Sequence, residues 1–157
     1  MKIVKISLVI LLIVFLGMQF VRPEKNLNAE VPATDLIAVE APDQEVAVVL
    51  KSACYDCHSN NTKYPWYAEV APVSFWIADH VEEGKEHLDF SQWDAYSPKK
   101  KAHKMEELIE EVKEHEMPLE SYTLMHGEAK LTAEQIEALT SWAAMLQTKY
   151  ELGAQVQ

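Results

Sequence analysis

Cysteine is scarce in this 157-residue chain, which contains only Cys54 and Cys57. No second Cys-X-X-Cys pair and no His-X-X-X-His pair accompanies them, so a closed four-ligand zinc site finds too few partners. Positive charge is scarce too. Fourteen Lys and Arg face 25 Asp and Glu, leaving a net charge of −11 and arguing against nucleic acid as a partner. Convincing strand alternation and internal repeats are also missing, whereas helical periodicity runs throughout, and a thioredoxin-like framework around the two thiols therefore lacks support.

What the chain does have is Cys54, Tyr55, Asp56, Cys57 and His58, a Cys-X-X-Cys-His run. Two thiols separated by two residues match the spacing of the two vinyl groups of one haem. The histidine that follows is held beneath the iron, where neutral imidazole is a good axial ligand. The run is read as the attachment site of one covalent haem c. Half a zinc site, a redox dithiol and a structural disulfide are the alternatives for the same residues.

Lys2 and Lys5 precede an apolar run from Ile6 to Val21. Its 16 residues fall short of the roughly 20 that span a bilayer comfortably, between the core of a signal peptide and a transmembrane helix. No small-X-small cleavage site follows it, so residues 1–21 are expected to stay as a signal-anchor. The positive-inside rule then places everything after Arg22 in the periplasm, with the chain anchored in the inner membrane, or free in the periplasm if the segment is cleaved. Residues 22–42, with three prolines and no sustained period, are expected to be a flexible tether, and 43–150 a single domain. The exported part carries a net charge of −13, a face either for steering a basic partner or for solvation. A domain this small has a modest core, so without haem it is expected to be loosely folded.

The expected fold class is all-α. Asp43 caps a first domain helix with Val46, Val49, Leu50 and Ala53 inward, which delivers the haem motif at its end. The loop Ser59–Tyr67 is expected along a haem edge, with Tyr64 and Trp66 as pocket walls or as ordinary loop aromatics. A second helix starts near Pro72 and runs toward Gly84 or His87, with His80 on or beside its apolar face. Ser97 and Pro98 open a third, with Ala102, Met105, Leu108, Ile109 and Val112 on one side. Thr132 and Gln135 form a capping box for the last, whose inward residues are Ile136, Leu139, Trp142, Ala143 and Leu146. Met117, followed by Pro118 at the end of the third helix, is the leading candidate for the sixth iron position. Met125, His126, Met105, His80 and an open site compete with it.

The stretch from Cys54 to Tyr67, together with Pro72–Trp76, His80–Lys85, Phe90–Trp93, Met117–Leu119, Tyr122, His126 and Leu131–Thr132, resembles the bacterial haem-binding domain family of small cytochrome c-like proteins. The resemblance covers about residues 45–147. It implies one covalent haem in an all-helical domain behind a single N-terminal hydrophobic segment, with thioethers on Cys54 and Cys57, His58 proximal and Met117 distal. The expected function is a membrane-anchored, periplasm-facing monohaem c-type cytochrome passing single electrons between redox proteins, and not an enzyme by itself. The alternative is a haem-based sensor or peroxidase-like protein with a displaceable distal ligand.

Overall fold

Helical periodicity and helix-end signals in the sequence yield helices and turns only. The computed structural model describes residues 1–28 and 30–155. Along the chain lie α1 (Lys2–Met18), α2 (Leu36–Glu40), α3 (Gln44–Ala53), α4 (Tyr55–His58), α5 (Val73–His87), α6 (Pro98–Lys113), α7 (Glu120–Thr123) and α8 (Ala133–Gln155). Single 3₁₀ segments occur at Trp66–Glu69, Phe90–Ala95 and Gly127–Ala129. Among the described residues there is no strand, only an isolated antiparallel bridge between Leu27 and Asn61.

The caps stand where the sequence puts them. Asp43 accepts the Val46 N–H at 2.9 Å, Ser97 accepts that of Lys100 at 3.3 Å, and Thr132 and Gln135 exchange bonds of 2.9 and 3.3 Å. The predicted inward faces of α3, α6 and α8 meet in the core, where Leu50, Met105, Leu139 and Trp142 pack with Phe90, Trp93 and Leu36. Each such side chain contributes about 1.5–3 kcal/mol on burial. Ile109 and Ile136 are only half-buried at its margin. Lys101 departs from the charged-outside pattern of α6. It is buried, with its ammonium 4.9 Å from the Tyr150 ring centre and 3.4 Å from Asp94, so an apolar stem and a paired cation fill the space together.

The expected tether, described at residues 22–28 and 30–42, is tied to the domain at several points, as a strap. Leu36 is fully buried, Thr34 donates to the Ser91 carbonyl at 2.8 Å, and Asn26 donates to the Ser59 carbonyl at 2.6 Å and to Thr62 Oγ1 at 2.9 Å. Glu40 accepts from Trp93 Nε1 at 2.7 Å, Lys149 Nζ at 2.7 Å and the Tyr150 hydroxyl. Prolines and scattered polar residues gave the strap a linker's composition. The hydrogen bonds that hold it run to distant residues and leave no period behind.

The expectation of a membrane-spanning helix is also corrected. Helix α1 forms with no buried residue, yet no helix among the described residues is long and apolar enough to cross a membrane. Its 17 residues rise about 26 Å, against about 30 Å of hydrocarbon. At its end Gln19 exchanges two hydrogen bonds with the Ala71 backbone, of 3.0 and 3.1 Å, and Arg22 and Lys25 pair with Glu69.

Candidate haem-binding site

Cys54 has a non-helical backbone, with φ −124° and ψ −39°, which separates α3 from the single turn of α4. Its carbonyl accepts the N–H groups of both Cys57 and His58, at 3.2 and 3.0 Å, so the motif closes on itself as one turn. The His58 Nδ1–H donates to the Leu88 carbonyl at 2.9 Å, leaving Nε2 as the free lone pair. The ring of Phe90 lies beside the imidazole with centres 5.7 Å apart, and Tyr55 stacks on the far part of the same cluster at 5.1 Å from Phe90. Burial holds the His58 pKa below the ordinary histidine value, outweighing the Leu88 and Gly84 carbonyls that act the other way. The ring is therefore neutral near pH 7, the state in which it ligates iron.

Burial pushes the Cys54 thiol up to about 12, aided by the neighbouring Cys57, and pushes the Cys57 thiol up to about 11, aided by Asp56. A redox dithiol needs the opposite, a lowered thiol pKa, so these surroundings disfavour that reading. A thioether carries no titrating proton and sits in such a place without penalty. The two cysteines form no disulfide. Among the described residues no group of three or more His, Cys, Asp or Glu side chains is placed to hold a metal ion, which leaves the zinc alternative without a ligand set.

Asp56, inside the motif, is buried and ties three segments together. Its Oδ1 accepts the Lys63 N–H at 3.1 Å, its Oδ2 accepts the Tyr122 hydroxyl at 2.8 Å, and its carbonyl accepts Thr62 Oγ1 at 2.7 Å. Helix α5 crosses directly over the motif at Gly84, where a Cβ would come within 3.0 Å of the Cys57 carbonyl oxygen and 3.2 Å of Cys57 Cβ. Only glycine allows that approach without displacement.

Beside Cys57 opens a largely apolar cleft, bounded by Ile77 and Val81 of α5 and by Leu119, Met125 and His126. A second hollow shares Asp56, Lys63, Pro65, Tyr122 and His126 with it and adds Lys51, Tyr64 and Glu128. The apolar cleft suits a flat apolar ring, and in the hollow beside it two lysines stand with two carboxylates. With the two thiols and the free imidazole nitrogen, the residues present fit a haem.

The sequence candidates are distributed unevenly. Cys57, His80 and His126 border the cleft, while Cys54 and His58 lie outside its lining. Tyr64 reaches the adjoining hollow, and its hydroxyl accepts the Asn26 N–H at 2.7 Å. Trp66 is 79% exposed and is not a pocket wall; its neighbour Tyr67 takes that place and shares a 2.7 Å hydrogen bond with His126 Nε2. Met117 is half-buried in the turn between α6 and α7, its N–H on the Glu111 carbonyl at 3.1 Å, and it is not among the residues bordering the cleft. Met105 is fully buried in the core and drops out as a ligand. His80 turns its Nδ1 to the Trp76 carbonyl at 2.9 Å. Sequence reasoning missed the Leu88 carbonyl, which no side-chain pattern reveals. It also missed the role of Gly84, although a glycine inside a helical period was a visible signal of close approach.

Comparison with curated proteins and with solved structures gave no match. A family model described as a haem-binding domain matches residues 13–145, beginning within α1 and taking in the whole strap, the Cys-X-X-Cys-His turn and the cleft. The chain belongs to the haem-binding domain family.

Proposed function

We propose that this chain is a monohaem c-type cytochrome, which binds one haem through thioethers on Cys54 and Cys57 and passes single electrons between larger redox proteins without being an enzyme itself. The observation that carries the reading is the 2.9 Å bond from His58 Nδ1 to the Leu88 carbonyl, beside two thiols in one helical turn. A carbonyl only accepts, so Nδ1 carries the proton and Nε2 is the nitrogen that would ligate iron. When bound, the haem supplies a one-electron iron couple. The chain orients His58, walls one side with Ile77 and Val81, and offers Lys51 and Lys63 to negative charge. Met117 is the proposed second iron ligand, on the segment leading into α7, whose Ser121 and Tyr122 border the cleft with the flanking Leu119, Met125 and His126. The N-terminal helix, apolar after Lys5 and exposed up to Gly17, attaches the protein to the inner membrane with the domain in the periplasm.

The test is spectroscopic. The oxidised protein should have the weak near-infrared band of methionine ligation, and Met117→Ala should remove it while haem stays attached. A band that survives the substitution contradicts the assignment of Met117, and rapid carbon monoxide binding by the unmodified reduced protein contradicts the electron-transfer reading. A second reading, a sensor or peroxidase-like protein, draws on one observation: His126 borders the cleft with Tyr67 on its Nε2. Rapid carbon monoxide binding is the result that favours it.

A further inference from the structure

Outside α1, several of the exposed large apolar side chains lie on segments that touch one another. Phe20 is 90% exposed, Leu124 81% and Trp66 79%, and Val21, Trp76 and Met125 are exposed with them. Contacts join the segments that bear them. Phe20 and Val21 follow Gln19, which is bonded twice to the backbone of Ala71. Ala71 leads into α5, where Trp76 sits one turn along. Glu69, which takes Arg22 and Lys25, ends the turn that Trp66 begins. Tyr67 of that turn is bonded to His126, next to Met125 and Leu124.

Single exposed apolar residues are ordinary, but a cluster continuous with an exposed apolar helix marks an interaction surface. We propose that these segments rest on lipid, with Phe20, Trp66 and Leu124 sunk to the headgroup level. The inference rests on the proposed membrane attachment and adds to it an orientation and a footprint. Three observations select lipid as the occupant. Helix α1 ends two residues before Phe20, so attachment through it brings Phe20 and Val21 to the membrane surface. Tryptophan is at home at that level, and the long stems of Arg22 and Lys25 stand beside it. The acidic remainder of the exported part, at −13 overall, is repelled by anionic headgroups and keeps the other faces away. Trp76 and Met125 border the cleft, so its rim faces the lipid.

The full haem-loaded chain is placed in vesicles of phosphatidylethanolamine and phosphatidylglycerol carrying a photoactivatable diazirine lipid, and adducts are mapped by mass spectrometry. Met145 and Leu152 of α8, also exposed apolar residues, serve as internal controls. The expected result is labelling of Phe20, Trp66 and Leu124 several-fold above the controls. In the doubly substituted chain Trp66→Ser with Leu124→Ser, Phe20 labelling should fall several-fold while the protein still floats with the vesicles. Adducts confined to α1 on floating vesicles overturn the footprint and leave the attachment standing. Patch labelling no greater than at the controls overturns it too, as does patch labelling blocked by a crosslinkable second copy or seen only with a partner protein. Protein that fails to float overturns the attachment and the footprint with it.

Discussion

The two sides of this domain are held by different means. On the side of α3, α6 and α8, long helices close on Leu50, Met105, Leu139 and Trp142, a core made of this chain's own side chains. On the other side, α5 and the single turns α4 and α7 meet through hydrogen bonds to Asp56 and stacked rings such as Tyr122 on His126, 4.2 Å apart, and they border a cleft. The first side is complete without a cofactor. The second leaves a cleft where a core would be, a place open to a cofactor.

That contrast breaks most readily at the core. Leu139→Ala should cost about 2–5 kcal/mol in denaturant unfolding, whether haem is attached or not. Removing the cofactor by Cys54→Ala with Cys57→Ala should act on one side only: amides of α5 and α7 lose hydrogen-exchange protection while those of α6 and α8 keep theirs. Equal protection on both sides would erase the distinction.

A smaller effect sharpens it. Gly84→Val drives a side chain against Cys57 and should cost about 1–3 kcal/mol in the haem-loaded protein, with a shifted absorption maximum. Gly153→Ala, where a Cβ meets nothing within 4 Å in the exposed end of α8, should be neutral or stabilising by up to about 1 kcal/mol. Thermal melts of both variants check the pair.

The smallest effects are in pH. In the haem-free chain, burial holds the His58 pKa below the ordinary histidine value of about 6.5. The unfolded state then takes up its proton first, and stability from the cleft side falls as pH drops below about 6.5. Glu40 belongs to the other side. Burial alone would raise its pKa, but bonds from Lys149, Tyr150 and Trp93 prevail and hold it below 4.5. Its contribution is intact above that pH and is lost as pH falls through the folded-state value. Unfolding midpoints followed against pH should show a first decline near pH 6 that His58→Gln removes. A second, more acidic decline should be weakened by Glu40→Gln.

The same division decides what the sequence made legible. Helices α3, α6 and α8 could be read from Asp43, Ser97, Thr132 and their apolar periods, because amphipathic faces and caps are local signals. The haem-binding family was likewise legible in the five consecutive residues of the motif and the stretch that follows it. The strap was misread because Leu36 and Glu40 are held by Trp93, Lys149 and Tyr150, far along the chain. Trp66 was misplaced by one residue: aromatic content marked the loop, and backbone direction chose Tyr67 to face inward. The partner of His58 is a backbone carbonyl, which every residue possesses and no composition reveals.

The most direct test is to denature the protein after maturation in a host that attaches haem, reduce it in alkaline pyridine, and record its spectrum. Attachment through both Cys54 and Cys57 predicts one haem per chain that stays with the polypeptide and has the absorption maximum of a porphyrin whose two vinyl groups are saturated. Haem that extracts into acidified organic solvent, leaving a colourless chain with two free thiols, would contradict the account.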